Sequence, residues 1–330
     1  MNTFADWTWM RRLGQVLLAA VISAAVLAPV LAPHAPGQRF GDLPYAPPTR
    51  IHVWNGGPAA PFIYPQRLIS RVERRYEDDR AHPVSLSWFR DGKIVSSSPA
   101  PLLILGADSY GRDVFSRLLY GGRISLALAL LSALIAVSIG AVLGGTAGYA
   151  GGWLDALISR SSEFLLVLPT MYVALTLRAV LPPVLEAASV FGLLTLIFAA
   201  LGWPIVARGT RAIVMAERQR EYVEAARALG ASPIRLLVHH LLPAAFGYLA
   251  TQLTLLVPAF ILAEATLSYV DFGFPQGTAT WGTMLQDAAN ILLVVDVPWL
   301  LAPAAAIFVT VLGINLLVQS TGRPPVQLEG

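Results

Sequence analysis

Six stretches of the chain are almost wholly apolar, at 13–32, 124–148, 164–181, 190–207, 248–270 and 299–318. Each is close to the roughly 20 residues that carry a helix across a bilayer. Between the fourth and fifth the pattern changes. In 221–243 the apolar residues Tyr222, Ala225, Ala226 and Leu229 fall at i, i+3, i+4 and i+7, the spacing of one helix face. Gly230 stops that stripe, as a residue that readily takes the left-handed conformation ending a helix. Ser232 suits an N-cap and Pro233 a first helical position. A second stripe follows at Ile234, Leu237, Val238 and Leu241. The pattern predicts two short amphipathic helices joined by a tight turn. Helices this short are marginal alone in water, so lipid headgroups, the rest of the chain or a partner with a groove must cover them.

Composition agrees with a membrane protein. Of 330 residues, 55% are hydrophobic and 13% charged, against about 25% charged in soluble domains. There is no cysteine, so disulfides, iron–sulfur clusters and thiolate metal sites are excluded. Lys93 is the sole lysine and stands in D-G-K-I, without the Gly-rich loop that a nucleotide-binding P-loop needs. A formal charge of +3, with no basic stripe interleaved with aromatics, gives no footprint for nucleic acid. His34, His52 and His82 are scattered without ligand spacing, and Asp78-Asp79 lack a partner motif. A membrane enzyme is therefore disfavoured.

In chain order, Arg11-Arg12 precede the first apolar run. The start has the shape of a signal peptide with a cleavage site near Val26-Leu27-Ala28, but the apolar run continues through Val30, Leu31 and Ala32, which favours an uncleaved span. The basic pair then puts the N-terminus in the cytoplasm. The polar, Pro- and Gly-containing stretch that follows reads as an external subdomain. It holds a charged run, 71–80, expected as a solvated helix face, and a strand-like V-S-L-S-W-F-R expected to form a hairpin around Asp91-Gly92. Val114, Phe115, Leu118 and Leu119 make one apolar face, with Arg112, Asp113, Arg117 and Arg123 elsewhere. This predicts an interfacial amphipathic helix with an i, i+4 pair between Asp113 and Arg117.

Further along, Gly140 and Gly144 form a G-x-x-x-G that lets another helix approach, inside the chain or across a subunit interface. A turn is expected over 151–155. Arg178, near the end of the third span with Pro169 upstream, is expected to snorkel to the interface. Gly202-Trp203-Pro204 predicts a kink in the fourth span. Arg208, Arg211, Arg218, Arg220, Arg227 and Arg235 crowd one short loop, which places it in the cytoplasm. Glu264 is the one acid inside a span, read either as a pore or gate residue or as an outer-end carboxylate bonded to a neighbouring helix. Trp299 is expected as an interfacial anchor at the start of the sixth span.

Glu224-Ala225-Ala226, then Gly230, then Leu242-Pro243, resembles the EAA loop of ABC importer permeases, departing from it where His240 replaces an isoleucine. G-A-D-S-Y-G-R-D-V-F-S-R-L-L-Y-G-G-R-I-S-L (106–126), L-S-Y-V-D-F-G-F-P, W-G-T-M-L and T-V-L-G-I-N-L-L are similar to the dipeptide/oligopeptide/nickel branch. The resemblance runs over about 106–319, and the stretch 36–101 is larger than that branch leads one to expect.

The resemblance implies an all-α polytopic membrane protein with six transmembrane helices, a type I ABC importer permease fold and an extracytoplasmic insert between helices 1 and 2. Four segments follow: 1–33, the cytoplasmic N-terminus and first helix; 34–123, the insert with an interfacial helix; 124–320, a five-helix core with the coupling loop at about 208–246; and 321–330, a short cytoplasmic tail. The chain would move dipeptides or oligopeptides across the bacterial inner membrane by alternating access, both termini cytoplasmic, performing no bond chemistry. It would hold no cofactor and no metal, ATP and magnesium belonging to partner ATPases. Partners would be a second homologous permease, two ATPase subunits, an extracytoplasmic binding protein and membrane lipid. Tyr222, Glu224, Ala225, Ala226, Leu229, Gly230 and Pro243 would carry ATPase coupling, with Glu264 a candidate pore or gate residue. The rival reading is an ion-coupled secondary transporter or channel subunit, which would show broken helices and ionisable groups at mid-span in repeated halves.

Overall fold

A computed structural model describes residues 3–54, 57–90, 92–180, 182 and 185–321. The chain is mostly helical. Five helices are long and apolar enough to cross a membrane, and a sixth span results if one bent helix pair is counted as a single crossing. The helices are α1 (Thr3–Val26), α2 (Ala28–Leu31), α3 (Val114–Ala150), α4 (Gly152–Val167), α5 (Thr170–Ala179), α6 (Ala187–Glu217), α7 (Glu221–Ala228), α8 (Pro233–Leu236), α9 (Leu242–Ala244), α10 (Phe246–Tyr269), α11 (Trp281–Asp287), α12 (Ile291–Asp296) and α13 (Ala302–Thr321). Packing divides the chain into two compact units, one of residues 1–125 with 265–330 and one of 126–264.

In the first unit, α1 lies along α13. Gly14 and Gly313 allow the approach: a methyl group at Gly14 would stand 2.9 Å from the Gly313 carbonyl oxygen, and one at Gly313 would stand 2.9 Å from Leu18 Cγ. The insert adds seven strands. β1 (Ile51–Trp54), β2 (Pro58–Ile63) and β5 (Val84–Ser85) form one antiparallel sheet; β3 (Gln66–Ser70) pairs with β4 (Arg75–Asp78), and β6 (Ser87–Arg90) with β7 (Lys93–Ser96). The charged run at 71–80 is a turn and strand β4, not a helix face. Pairing with β3, as in Leu68 opposite Tyr76, outweighs local helical spacing. The β6–β7 hairpin forms where V-S-L-S-W-F-R predicted it; its turn residue Asp91 lies outside the described residues, as do Leu181, Pro183, Arg323 and the tail from 322 on. Ile63, Val84, Leu86, Ala100 and Leu102 make the insert's buried core.

The expected interfacial helix is the first turns of α3, a single 37-residue helix. Three of its four charges are buried: Arg112, Asp113 and Arg117 are each at most 3% exposed, while Arg123 is exposed. The pair expected between Asp113 and Arg117 is not formed. Asp113 accepts from the Ser116 hydroxyl at 2.5 Å and meets His34 Nδ1 at 3.3 Å, while Arg117 Nε lies 3.4 Å from Asp108. The Trp299 indole donates to the Ala107 carbonyl at 3.0 Å and packs over Gly106.

In the second unit α3 packs on α6 through a glycine ladder. A methyl group at Gly140 would meet Val206 Cβ at 2.5 Å, and one at Gly148 the Arg211 carbonyl oxygen at 2.7 Å. The G-x-x-x-G therefore serves packing within the chain. The third span, expected at 164–181, starts earlier and is broken. The turn is confined to Gly151 and Gly152, both at positive φ, and Trp153 already belongs to α4. At Leu168-Pro169 the chain bends by 88° into α5, because proline lacks the N–H that would continue the ladder. Pro204, by contrast, sits inside a continuous α6. Phe198 on α6 stacks on Phe260 of α10 at 5.3 Å, with Gly202 making room for the ring.

Candidate functional site

The segment between α6 and α10 is built from two helical pieces around Gly230. α7 ends in a complete Schellman arrangement: the Ala231 amide donates to the Ala226 carbonyl at 3.1 Å and the Gly230 amide to that of Arg227 at 3.0 Å, with Gly230 at φ 80°. Ala226 and Ala231 pack on the same buried cluster, adding the apolar contact typical of that motif. The Ser232 hydroxyl then caps α8, accepting from the Arg235 amide at 3.3 Å, with Pro233 in the first turn. Both end signals lie where the sequence put them.

Most of the first apolar stripe faces outward. Val223 and Leu236 are the residues buried, with Val214 and Leu241, while Ala226 is half-buried. Tyr222, Glu224, Ala225 and Leu229 point outward, Leu229 being 89% exposed. The second stripe also rotates: Ile234 is 76% exposed, and the turn Leu237–Leu241 is a π-helix. Its wider turn brings Leu236 and Leu241, five residues apart, into one core, a spacing that α-helical periodicity does not contain. Pro243 is exposed in α9, just ahead of α10. The segment thus has an inner face fixed to the unit and an exposed outer face of Tyr222, Glu224, Ala225, Leu229 and Ile234.

Polar bonds fix its base. Arg211 on α6 holds Asp155 on α4 at two points, Nε to Oδ1 and Nη2 to Oδ2, the second at 2.6 Å. The Arg218 guanidinium donates to the Tyr149 carbonyl at 2.6 Å. The Tyr222 hydroxyl donates to Glu217 at 2.8 Å, and partial burial together with that carboxylate raises the phenol above its ordinary range. Tyr248 ties α10 to the Ile205 carbonyl at 2.9 Å, and its ring lies over Gly209, where no side chain fits.

Two charges inside spans complete the picture. Glu264 has no exposed surface. Arg178 does not snorkel. It is 6% exposed, donates to the Pro182 carbonyl at 3.3 Å, and its Nε has no partner among the described residues. In the first unit a polar cleft of about 210 Å³ is lined by Tyr110, Arg112, Gln276, Thr283, Gln286 and Asp287. Asp287 accepts from the Ser109 hydroxyl at 3.0 Å, and burial and the nearby Asp108 raise its carboxyl above the ordinary range. Sequence spacing did not single out Asp108, which holds Arg112 four residues on, or Asp287, whose partner Ser109 is distant along the chain.

Residues 120–322 match the family described as binding-protein-dependent transport system inner membrane component. A protein of Brucella ovis named as a peptide permease is 36% identical over 224 residues, 68% of this chain and 72% of that one. The oligopeptide transport system permease protein of Bacillus subtilis is 37% identical over 215 residues, 64% of this chain and 67% of that one. The glutathione transport system permease protein of Pectobacterium atrosepticum is 33% identical over 239 residues, 71% of this chain and 76% of that one. Apolar spans, an outward-facing helix pair after α6 and this match over most of the chain agree: the protein belongs to the binding-protein-dependent transport system inner membrane components, as a multi-pass permease subunit of an ABC importer.

Proposed function

We propose that this permease carries short peptides inward as one of two homologous permease subunits, working with two ATPase subunits and an extracytoplasmic binding protein. The observation that carries the coupling mechanism is the α7–Gly230–α8 pair: an exposed outer face on an inner face anchored by Val223, Leu236 and Leu241. A helix that is to transmit motion must be stiff at its base and free at its surface, and this one is both. Tyr222, Glu224, Ala225, Ala226 and Leu229 would lie in a groove of the ATPase. Ala225 lets the backbone approach closely, and Gly230 sets the direction of the turn. Closure of the ATPases on ATP would push this lever, and the push would pass through the Asp155–Arg211 pair to α4 and α6. The spans would then alternate between inward- and outward-open. ATP and magnesium would be held by the ATPases, with no cofactor in this chain.

Peptide as the cargo rests on the names of the three relatives, which refer to peptide, oligopeptide and glutathione transport. Both termini would be cytoplasmic, as Arg11 and Arg12 before the first span and six arginines between 208 and 235 all favour one side. Glu264 would act as a gate. An acid wholly buried in a span is costly, and a movement of α10 that exposed it would release that cost in one state only.

Mild-detergent purification of the tagged chain from its native membrane, with the partners identified by mass spectrometry, tests the assembly. ATPase subunits should co-purify and be lost on Glu224→Lys. Recovery of the folded chain alone would overturn the importer complex in favour of an ion-coupled transporter. Uptake of labelled di- and tripeptides into proteoliposomes of the whole complex tests the cargo.

A further inference from the structure

We propose that a cleft between α4 and α6 binds the headgroup of a phosphatidylethanolamine, with Arg208 on the phosphate and Glu163 on the ammonium. The cleft has a volume of about 130 Å³, lies within the second unit, and is lined by Ser159 and Glu163 of α4 and by Arg208 and Arg211 of α6. Arg211 is engaged by Asp155, and the Ser159 hydroxyl donates to the same carboxylate at 3.1 Å. Arg208 and Glu163 differ from that pair. Both are exposed, both line the cleft, and neither makes a hydrogen bond or ion pair among the described residues. An acid and a base that share a cleft without meeting leave room between them for one group that carries both opposite charges.

The place of the cleft along α6 says which zwitterion. α6 starts at Ala187 and is apolar from 190 to 207. From Ala187 to Ala207 it rises about 30 Å, the thickness of a bilayer's hydrocarbon. Arg208 is the first charge after that run, and Arg211 and Glu217 follow on the same helix. The cleft therefore opens where α6 leaves the hydrocarbon, at the level of lipid phosphates and amines. The neighbouring helix agrees. Asp155 meets Arg211, while Glu163, about two turns further along α4, shares the cleft with Arg208. The two helices thus run antiparallel, and α4 enters the hydrocarbon beside the point where α6 leaves it. Phe164, next to Glu163, is 66% exposed, and Ile205, about one turn before Arg208, is 41% exposed. Apolar side chains therefore flank the two charges on the hydrocarbon side, where acyl chains would cover them. An arginine alone would take any lipid phosphate. Glu163 makes the site selective, because a carboxylate repels a purely anionic headgroup and accepts a charge-assisted hydrogen bond from a primary ammonium. The inference rests on residues of this chain alone and does not depend on the cargo.

Native mass spectrometry of the full-length chain, delipidated in a mild detergent and titrated with dioleoyl phosphatidylethanolamine or dioleoyl phosphatidylglycerol, tests the site. Wild type should retain its first phosphatidylethanolamine several-fold better than phosphatidylglycerol. Glu163→Gln should remove that preference by weakening the amine lipid and strengthening the anionic one. Arg208→Gln should weaken both, and Arg208→Lys should keep both. The two side chains are exposed, so the variants should melt with wild type. Equal retention of the two lipids by wild type would overturn the proposal, as would an unchanged preference in Glu163→Gln. Soluble phosphoethanolamine, which carries the same charges without acyl chains, is the third arm. At equal concentration it should leave the bound lipid in place. Displacement by it would overturn the lipid in favour of a soluble zwitterion. Should a variant fail to fold, the wild-type ranking of the two lipids decides alone.

Discussion

Arg117 pairs with Asp108, nine residues before it in sequence, rather than with Asp113 four residues away: Nε lies 3.4 Å from Oδ2 of Asp108. The same carboxylate takes Arg112 Nε at 2.6 Å and the amides of Tyr110 and Arg112, each at 2.9 Å. One carboxylate is thus shared by two arginines that are no more than 3% exposed. Asp108→Ala leaves both uncompensated and should cost about 3–5 kcal/mol. The check is thermal unfolding in detergent. A loss no larger than that of an exposed control, Asp296→Ala, would show that the knot carries no stability.

Gly230→Val should uncouple transport from ATP hydrolysis without preventing insertion. The Cβ would meet nothing within 4 Å, so the whole penalty lies in the φ of 80°, about 1–2 kcal/mol for an L side chain. The Schellman turn would relax and the outer face of α7 would change its angle. ATPase activity and peptide uptake of the reconstituted complex are measured together. Gly230→Asn, which tolerates this conformation, should retain most uptake. Wild-type coupling in the valine variant would rule out a fixed turn as part of the lever.

The spans were legible because length and apolarity alone define a crossing, and the helix ends at Gly230 and Ser232 because caps are local. What was not legible depended on contacts between distant residues. The strand β4 is specified by β3 rather than by its own spacing of charges. The inward face of α7 is set by Val223 against Val214 and Leu241, so which side of the helix packs on the unit was not legible from the stripe of Tyr222, Ala225 and Leu229. The π-turn at Leu237–Leu241 brings Leu236 and Leu241 into one cluster, a spacing helical periodicity does not contain. Asp113 and Arg117 read as an i, i+4 pair because helical spacing favours it, whereas the fold gives Arg117 to Asp108 and Asp113 to Ser116 and His34.

Asp287 should give the protein a stability that falls as pH rises. Its carboxyl is raised in the fold by burial first and by Asp108 second. The fold therefore binds this proton more tightly than the unfolded chain does, and the stabilisation is full below the unfolded value, about pH 4. It is lost as pH rises through the folded value. Asp287→Asn keeps an acceptor for the Ser109 hydroxyl and removes the charge. It should raise the melting temperature near pH 7 relative to wild type, with the gain vanishing as pH approaches about 4. Melting curves across that range decide the matter, and a gain independent of pH would point to packing rather than ionisation.

The glycine ladder of α3 should be intolerant of any side chain at Gly144. A methyl group there would stand 2.3 Å from the Ala207 carbonyl oxygen and 2.8 Å from its Cα. Both are backbone atoms of α6, so no rotamer change relieves the clash and the helices must part. Parting them also strains the Asp155–Arg211 pair, since Arg211 lies one turn beyond Ala207 on α6. Gly144→Ala should cost about 1–3 kcal/mol, the range for overpacking a close contact, and Gly144→Leu more. Gly192→Ala on α6, where a methyl group meets nothing within 4 Å, is the matched control and should gain slightly from the better helix former. Thermal unfolding of the three variants in one detergent orders them. If Gly144→Ala unfolds with Gly192→Ala, α3 and α6 do not depend on this contact, and the route from the lever into α4 and α6 must bypass it.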